Sequence, residues 1–187
     1  MGSNVREEVM AAAKRAAQSH GYTGLNFREL AAEVGIKSAT IHYYFPTKVD
    51  LGAAIAKRYW EDSQTVLDGL WNGGTDPARA LMEYPNTFRV SLEQDNRICL
   101  CSFMSAEHDD LPDPVKREVS AFADINIAWL TRVLSAATDM DTAASERRAR
   151  AIFAAVAGAQ LMARSRSDIS VFDALIDSYR EAGLLPG

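Results

Sequence analysis

The sequence contains few of the residues on which disulfide frameworks, metal sites and hydrolytic centres depend. It has two cysteines and three histidines among 187 residues, and two cysteines cannot build a disulfide framework. It also lacks a nucleophile elbow, a phosphate-binding loop and a helical pair of metal ligands. No catalytic constellation can be assembled from this inventory. We therefore predict that the chain is not an enzyme and uses no cofactor and no metal.

Long apolar runs are absent as well, so no segment has the length and character of a membrane span. The N-terminus has no basic region followed by an apolar stretch, which is the pattern of a signal peptide. We expect a cytoplasmic protein with no membrane partner. Hydrophobic residues make up 48% of the chain, which is enough for a sizeable core in one or two domains.

A net positive charge is the third absence, since the formal net charge is −5. Residues 1–50 carry six basic and five acidic side chains, which leaves +1, so the remaining residues carry −6. Affinity for phosphates depends on local contacts rather than on total charge. The weakly basic first region is therefore compatible with a nucleic-acid binder that holds random DNA weakly.

Residues 26–48 have the pattern of two short helices joined by a tight turn. Asn26 is a helix-capping residue, and Glu29 stands three positions later, as in a capping box. Gly35 follows the first helix, where a sharp turn requires a left-handed backbone. Pro46 limits the second helix, because the residue before a proline is disfavoured in helical geometry. The segment predicts a helix-turn-helix whose second helix enters a DNA groove.

Helical spacing divides this second helix into two sides. If Ile41 is at the centre of the buried side, Ala39 and Tyr43 face directly outward, and Thr40 and His42 lie beside them. Lys48 falls in the first turn of the next helix, where backbone amides and the lysine charge suit a DNA phosphate. Each residue alone is also compatible with an ordinary surface position, and only their joint spacing indicates a recognition surface.

Past Lys48 the sequence predicts helices with short interruptions and no strand. Their ranges are about 48–72, a helix that opens at Asp76-Pro77 and is kinked by Pro85, 98–106, 114–137, 142–165 and 170–182. The helix over 142–165 is apolar nearly all round, which requires burial on more than one side. It is either the central helix of a monomer or part of a dimer seam with the helix over 114–137. We predict the dimer, because one recognition helix reads too few bases for useful specificity.

The segment from Gly35 to Lys48 resembles the signature of the TetR family of bacterial repressors. The matching positions are Gly35, Ile36, Lys37 to Thr40, Ile41, His42 to Tyr44, Phe45 and Lys48. The resemblance implies that Lys37, Ser38, Ala39 and Thr40 face bases or nearby backbone, and that His42, Tyr43 and Lys48 contact phosphates. Ile41 and Phe45 are structural in that scheme. The family often has glycine where this chain has Ala39, and the extra methyl group alters the approach to the groove.

Cys99 and Cys101 are the remaining reactive side chains. Residues two apart on a helix point about 200° from each other, so both thiols cannot share one face. A reactive thiol needs a nearby cation or a helix N-terminus, and Arg97 with a helix start near Asn96 would supply both. The alternative is a small buried hydrophobic residue. Metal binding by Cys99, Cys101 and His108 lacks a fourth ligand and a familiar spacing.

Cys99-Leu100 followed by Ser105-Ala106-Glu107 also resembles some TetR-family members that repress electrophile-detoxification genes, the N-ethylmaleimide-reductase repressors among them. Those proteins sense reactive compounds through the first cysteine of the pattern, which is Cys99 here. The resemblance therefore implies that Cys99, rather than Cys101, couples a chemical signal to DNA release.

These observations together predict an all-α regulator. Its three-helix DNA-binding domain would span residues 1–47, and a helical bundle for ligand binding and dimerisation would span residues 48–187. The partners would be double-stranded operator DNA, a second copy of the chain and a small-molecule effector that releases the repressor. The candidate effector-binding residues are Tyr59, Trp60, Phe88, Cys99, Phe103, Met104, Phe122 and Trp129, and for each of them plain core is the commoner role. The competing interpretation is a small helical enzyme or binding bundle whose first helices only mimic the motif.

Overall fold

The computed structural model describes residues 2–74 and 76–186, and every regular element in these ranges is a helix. In chain order the α-helices are α1 (Gly2–His20), α2 (Phe27–Val34), α3 (Ser38–Tyr44), α4 (Lys48–Leu70), α5 (Pro77–Glu83), α6 (Asn86–Glu93), α7 (Leu100–Ala106), α8 (Asp113–Ala137), α9 (Thr142–Arg166) and α10 (Ile169–Glu181). A 3₁₀ helix, His108–Asp110, lies between α7 and α8. The predicted all-α fold class is confirmed. Within the described part of the chain, no helix has the length and apolarity that a membrane crossing requires.

The helices form two compact units. One unit contains the chain up to Glu61 together with Leu100–Phe122, and the other contains Asp62–Cys99 together with the chain from Ala123 onward. Helices α4 and α8 contribute residues to both. These units are defined by packing and each contains two segments of the chain, whereas the predicted boundary between residues 47 and 48 separates two functions. That boundary remains a prediction.

In the first unit, α1 is the central element and packs against α2, α3 and α7. Small side chains on its inner face, among them Ala13 and Ala17, are fully buried and let the neighbouring helices approach closely. Leu30 of α2 and Ile41 of α3 complete the interior from the other side. The helix-turn-helix is therefore held by a core of its own.

In the second unit, α9 packs against both α6 and α10, and α6 also meets α10. Ile152, Val156 and Ala159 lie on the inner face of α9 with no solvent exposure, and Phe172 of α10 is buried as well. The opposite face of α9 is open to solvent in the described protomer. The sequence predicted that α9 is buried on more than one side. In the protomer one face of α9 is buried and the opposite face is exposed.

Two helix predictions are corrected by the structure. Pro85 does not kink a single helix but separates α5 from α6, because its ring nitrogen has no hydrogen to donate to the helical ladder. The helix predicted from residue 98 begins instead at Leu100. Asp95 and Asn96 have left-handed backbone angles, with φ of 58° and 54°, which prevents a helix from starting at Asn96.

Candidate nucleic-acid interface

The turn between α2 and α3 is fixed by a cap at each end of α2. The Asn26 side-chain oxygen accepts hydrogen bonds from the amides of Arg28 (2.9 Å) and Glu29 (3.5 Å), and its amide group donates to the Glu29 carboxylate at 3.2 Å. Gly35 closes α2 with φ 75° and ψ 32°, a conformation that a side chain would strain. Both predicted caps are confirmed, and together they set the direction in which α3 leaves the turn.

Helix α3 has one buried side and one exposed side. Ile41 and Phe45 are buried, whereas 81% of the Tyr43 side chain is exposed to solvent. The remaining residues predicted to contact DNA are either exposed, namely Lys37, Ala39 and His42, or half-buried, namely Ser38, Thr40 and Lys48. All seven therefore reach the surface on α3 or on the residues that flank it.

The ring of His42 is held in a defined orientation. Its Nδ1 lies 3.2 Å from the carbonyl oxygen of Pro46, and its ring packs at 4.7 Å between centroids against Phe27. A carbonyl oxygen only accepts hydrogen bonds, so Nδ1 carries the hydrogen and Nε2 is the other polar atom of the ring.

The start of α4 differs from the open anion site that the sequence predicted. The Thr47 amide (2.9 Å) and hydroxyl (2.7 Å) both donate to the Asp50 carboxylate, and the Asp50 amide donates to the Thr47 hydroxyl oxygen at 3.2 Å. This reciprocal cap occupies part of the helix N-terminus with a negative group. The Lys48 ammonium donates to the Thr23 carbonyl oxygen at 3.3 Å and lies 4.6 Å from the centroid of the Tyr22 ring. Any phosphate contact here rests on the lysine more than on free amides.

Some basic side chains of the first unit are neutralised within the unit. Arg15 pairs with Glu33 at 2.6 Å, and Arg58 pairs with Glu7 at 3.0 Å. Among the residues that the structure describes, Arg28 and Lys37 form no ion pair, and they occupy the N-terminal ends of α2 and α3. Sequence reasoning singled out Lys37 but missed Arg28, although its position in the first turn after a capped helix start was visible.

The second unit contains a buried cluster of aromatic and polar side chains. The Tyr84 hydroxyl donates to the Asn126 side-chain oxygen at 3.0 Å, and both residues are buried. The Tyr84 ring stacks on Trp129 and meets Phe88 edge-on, with centroids 5.8 Å apart in each pair. Burial raises the pKa of the Tyr84 phenol well above its usual value, and the neighbouring Cys99 adds a smaller upward contribution.

Cys99 is tied to the same cluster through its backbone. Its amide donates to the side-chain oxygen of Gln160 at 2.9 Å, while the Gln160 side-chain amide donates to the Phe88 carbonyl oxygen at 2.5 Å. Gln160 thus joins α9 to α6 and to the residue just before α7. A buried glutamine in this position satisfies main-chain groups that would otherwise lack partners.

Comparisons with known proteins agree with this geometry. The family described as bacterial regulatory proteins, tetR family, matches residues 9–55, which include α2 and α3 entirely. An uncharacterized HTH-type transcriptional regulator in the lacX 3′ region of Lactococcus lactis subsp. lactis is 23% identical over 193 residues, 96% of this chain and 95% of that protein. A TetR-family regulator from Agrobacterium tumefaciens is 25% identical, covers 97% of this chain and 98% of its own, and gives a TM-score of 0.89.

Residues 9–55 match the TetR family, and solved structures of TetR-family regulators are similar to the chain over nearly its whole length. The chain is a helix-turn-helix transcriptional regulator, and the predicted family is confirmed. TetR regulators are not enzymes, so the competing interpretation of an enzyme that mimics the motif is set aside. The reduced form of Escherichia coli NemR is also similar in structure, with 21% identity, a TM-score of 0.81 and coverage of 95% of this chain and 96% of NemR. At that identity the likeness concerns the fold alone.

The candidate effector residues fall into the two compact units. In the second unit, Phe88 and Trp129 flank Tyr84, and the Cys99 amide is bonded to Gln160, which also binds Phe88. The others, which belong to the first unit, are Tyr59, Trp60, Phe103, Met104 and Phe122.

Two contacts fix candidate effector residues of the first unit. The Tyr59 and Phe122 rings lie 5.5 Å apart between centroids, and the Trp60 indole nitrogen donates to the Glu118 carboxylate at 2.8 Å. Met104 is fully buried and Phe103 is half-buried. These contacts are those of a packed core with polar anchors at its margin.

The polar members of the second cluster were missed by sequence reasoning. Asn126 stands between Ile125 and Ile127, and Gln160 lies within a long apolar stretch of α9. A single amide side chain among apolar neighbours of a predicted helix is a usable signal, because burying it requires hydrogen-bond partners. Tyr84 carried no comparable signal beside the other aromatic residues.

The environment expected for the cysteines differs from the one found. Neither cysteine is in a disulfide, and each residue is 1% exposed. The expected cation, Arg97, pairs with Asp95 at 2.8 Å, and the expected helix start at Asn96 is absent because α7 begins at Leu100. No group of three potential metal ligands comes together among the described residues.

Proposed function

We propose that this TetR-family regulator is a homodimeric repressor that binds double-stranded operator DNA through α3 and is released by a small-molecule effector. The observation that carries the proposal is the exposed side of α3, on which Tyr43 projects into solvent from a helix whose other side is fixed by Ile41 and Phe45. A recognition helix requires this combination of a rigid base and open side chains. Operator binding would take place in the cytoplasm.

The contacts divide into two kinds under this proposal. Side chains at the start of α3 reach base edges or adjacent backbone in the major groove, and they are Lys37, Ser38, Ala39 and Thr40. Side chains at its end and beyond bind phosphates, and they are His42, Tyr43 and Lys48. Base contacts set sequence preference, whereas phosphate contacts set position and general affinity.

Arg28 extends the phosphate-binding set. It is exposed in the first turn of α2 and has no ion-pair partner among the described residues. The first helix of a helix-turn-helix crosses the DNA backbone, so a cation at its N-terminal end is suited to a phosphate. Lys37 stands at the equivalent end of α3. The two cations would then supply phosphate contacts at the N-terminal ends of both helices of the motif.

The dimer seam is proposed on the exposed face of α9. This face carries Ala151, Ala154, Gly158, Leu161 and Met162. Leu161 is 58% exposed and Met162 is 48% exposed in the protomer, which is a substantial apolar surface for a helix that is otherwise well packed. A second copy that covers the same face would bury it through a two-fold contact.

The exposed face of α8 is a poorer candidate for the seam than the sequence suggested. Its exposed positions are mostly polar or charged, and they include Arg117, Ser120, Asp124, Arg132 and Ser135. Burial of such a row would require partners for each charge. The proposal therefore shifts the seam from the pair of α8 and α9 to α9 itself.

The effector is proposed to act on the buried cluster around Tyr84. The rings of Phe88 and Trp129 offer an apolar surface, and the Tyr84–Asn126 hydrogen bond offers a donor and an acceptor that a ligand can replace. A small, mainly apolar molecule with one polar group suits these features. DNA is released if the effector binds more tightly to a form of the dimer whose two helix-turn-helix motifs do not match the operator spacing. DNA then weakens effector binding by the same factor by which the effector weakens DNA binding.

Electrophile sensing by Cys99 remains a second candidate, favoured by the hydrogen bonds that link its backbone through Gln160 to Phe88 in this cluster. A reagent cannot reach a thiol that is 1% exposed unless the surrounding structure opens. Modification would therefore be slow, and the added bulk would be trapped within the cluster. The same cluster would then serve for either kind of signal.

Selection of duplexes from a random pool tests the DNA-binding part of the proposal. We expect the wild-type protein to enrich a two-fold sequence whose half-sites are centred about one helical turn apart, roughly 34–36 Å. Fluorescence anisotropy would then compare the enriched duplex with the unselected pool. A protein that enriches no duplex at low salt would contradict the proposed function.

A further inference from the structure

A carboxylate from the end of α7 holds the loop between α1 and α2. We propose that Glu107 is a positioning residue for DNA binding, which fixes the helix-turn-helix through the Tyr22–Thr23 loop and through Lys48. This inference rests on the proposed function, because the property that it explains is operator affinity. The contacts themselves lie within one compact unit, which contains α1 to α3, the start of α4 and all of α7.

The Glu107 carboxylate accepts hydrogen bonds from several donors of the loop. Its Oε2 accepts a hydrogen bond from the Tyr22 amide at 2.6 Å, and its Oε1 accepts from the Thr23 amide at 3.3 Å. The Thr23 hydroxyl lies 3.1 Å from both Oε1 and the His20 carbonyl oxygen, which share its one hydrogen. Hydrogen bonds to an ionised acceptor are about twice as strong as neutral ones. Glu107 and Tyr22 are 85 residues apart, so these bonds fix a tertiary position rather than a local turn.

The loop is shaped to admit this carboxylate. Gly21 has φ +66°, and a Cβ atom placed on it would lie 2.2 Å from Glu107 Oε2. A side chain at Gly21 would therefore conflict both with its own backbone conformation and with the bound carboxylate. The close approach of the carboxylate to the main chain depends on this glycine.

Lys48 connects the same loop to the proposed DNA interface. Its ammonium donates to the Thr23 carbonyl oxygen at 3.3 Å and lies 4.6 Å from the centroid of the Tyr22 ring. The Tyr22 ring in turn lies against Gly52 of α4, where an added Cβ would be 2.7 Å from it. The loop is thus held by Glu107 on one side and supports the lysine on the other. Loss of the carboxylate leaves both the loop and the ammonium less well fixed.

The consequence for binding is a loss of preorganisation. A helix-turn-helix that becomes ordered only on DNA binds a specific site less tightly, because the entropy lost on ordering reduces the free energy of binding. Random DNA, which requires no fixed alignment of α3 with bases, is affected less. The charge change alone acts in the opposite direction, since removal of a negative group favours approach to a polyanion. A fall in operator affinity would therefore report positioning and not electrostatics.

Glu107→Gln tests the inference, with Asp109→Asn as the matched control. Asp109 is an exposed acid two residues further along the chain, so the control removes the same charge without removing the bonds to the loop. The probes are the duplex enriched by the wild-type protein and the unselected pool. We expect Glu107→Gln to weaken the enriched duplex about tenfold and the pool by less than about threefold. Asp109→Asn should bind both as the wild type does.

Hydrogen exchange provides a readout that does not involve DNA. In Glu107→Gln, the amides of Tyr22 and Thr23 should exchange at least about tenfold faster, while amides in the middle of α1 keep their protection. If protection is lost throughout the unit, Thr23→Val decides instead, since it removes only the hydroxyl bonds and should weaken the enriched duplex by about twofold to threefold.

The outcomes separate this inference from the proposed function. A wild-type protein that enriches no duplex overturns the proposed function, and the role of Glu107 falls with it. A wild-type protein that enriches a duplex, together with Glu107→Gln binding it equally or more tightly, overturns only the role of Glu107. Unchanged exchange at the Tyr22 and Thr23 amides in Glu107→Gln also overturns it.

Discussion

Gly158→Arg is the substitution that most directly tests the proposed dimer. Gly158 lies on the exposed face of α9, and a Cβ atom placed on it meets no atom within 4 Å. A Cβ atom at this exposed position therefore meets no neighbour in the isolated protomer. The arginine also replaces glycine within a helix by a better helix former, which stabilises the protomer by about 0.5–1 kcal/mol.

In the dimer the same arginine would enter a seam that consists mainly of alanine, leucine and methionine side chains. An ion that is buried without a partner costs several kcal/mol, even after the surrounding protein relaxes. A cost of about 3 kcal/mol raises the dimer dissociation constant about 150-fold. A two-fold dimer would bury two such ions, so this value is a lower bound.

Sedimentation velocity over a dilution series measures the dimer dissociation constant. Gly69→Arg is the matched control, because Gly69 is also an exposed helical glycine with no atom within 4 Å of an added Cβ, but it lies on α4. Ala155 is a less suitable position, since it is half-buried on the flank of α9. We expect Gly158→Arg to be monomeric at micromolar concentration and Gly69→Arg to be dimeric. If the two variants associate equally, the seam is not on this face of α9.

The parts of the fold that depend on local chemistry were predictable from the sequence. Asn26, Gly35 and Pro46 specify a helix start, a helix end and a helix limit through interactions within a few residues. The two sides of α3 followed from helical spacing about Ile41. These features also make up the family signature, which explains why the recognition surface could be located before any tertiary structure was known.

The surroundings of the cysteines depended on features that the pattern did not reveal. Asp95 and Asn96 have a left-handed conformation and α7 begins only at Leu100, although periodicity predicts a helix from about residue 98. Cys99 consequently precedes the helix, and its amide finds a partner in Gln160. Non-glycine residues in this conformation are uncommon, so periodicity favours a continued helix at such positions.

Long-range polar contacts were beyond sequence reasoning for a related reason. The sequence marks Glu107 only through a resemblance to electrophile sensors, whereas its carboxylate binds the backbone of Tyr22 and Thr23. Main-chain donors are present at almost every residue, so no particular residue type marks the partner of such a carboxylate. Gly21 was the available signal, but a glycine alone does not name the group that approaches it.

Further measurements test the DNA interface, the cysteines and the buried cluster. Lys48→Ala should weaken binding of the enriched and random duplexes alike and lower the slope of binding against salt by about 0.9 for each phosphate that the protein no longer neutralises. Thr40→Val should mainly relax sequence preference. If both variants give the anisotropy curves of the wild type, the proposed DNA contacts are wrong. N-ethylmaleimide should release DNA slowly from the wild type and from Cys101→Ser but not from Cys99→Ser, and equal release from Cys99→Ser would remove the sensor role. Tyr84→Phe should lower the free energy of unfolding by about 1–2 kcal/mol at neutral pH, because a buried hydrogen bond is removed. The pKa of the Tyr84 phenol is raised well above its usual value of 10.0, first by burial and second by the neighbouring Cys99. The unfolded chain therefore releases this proton near pH 10 while the folded protein retains it, so the stability that depends on the neutral phenol is fully present below that pH and declines above it. Urea titrations above pH 10 should show a shallower decline for Tyr84→Phe than for the wild type, and parallel declines would mean that Tyr84 is not the group that titrates.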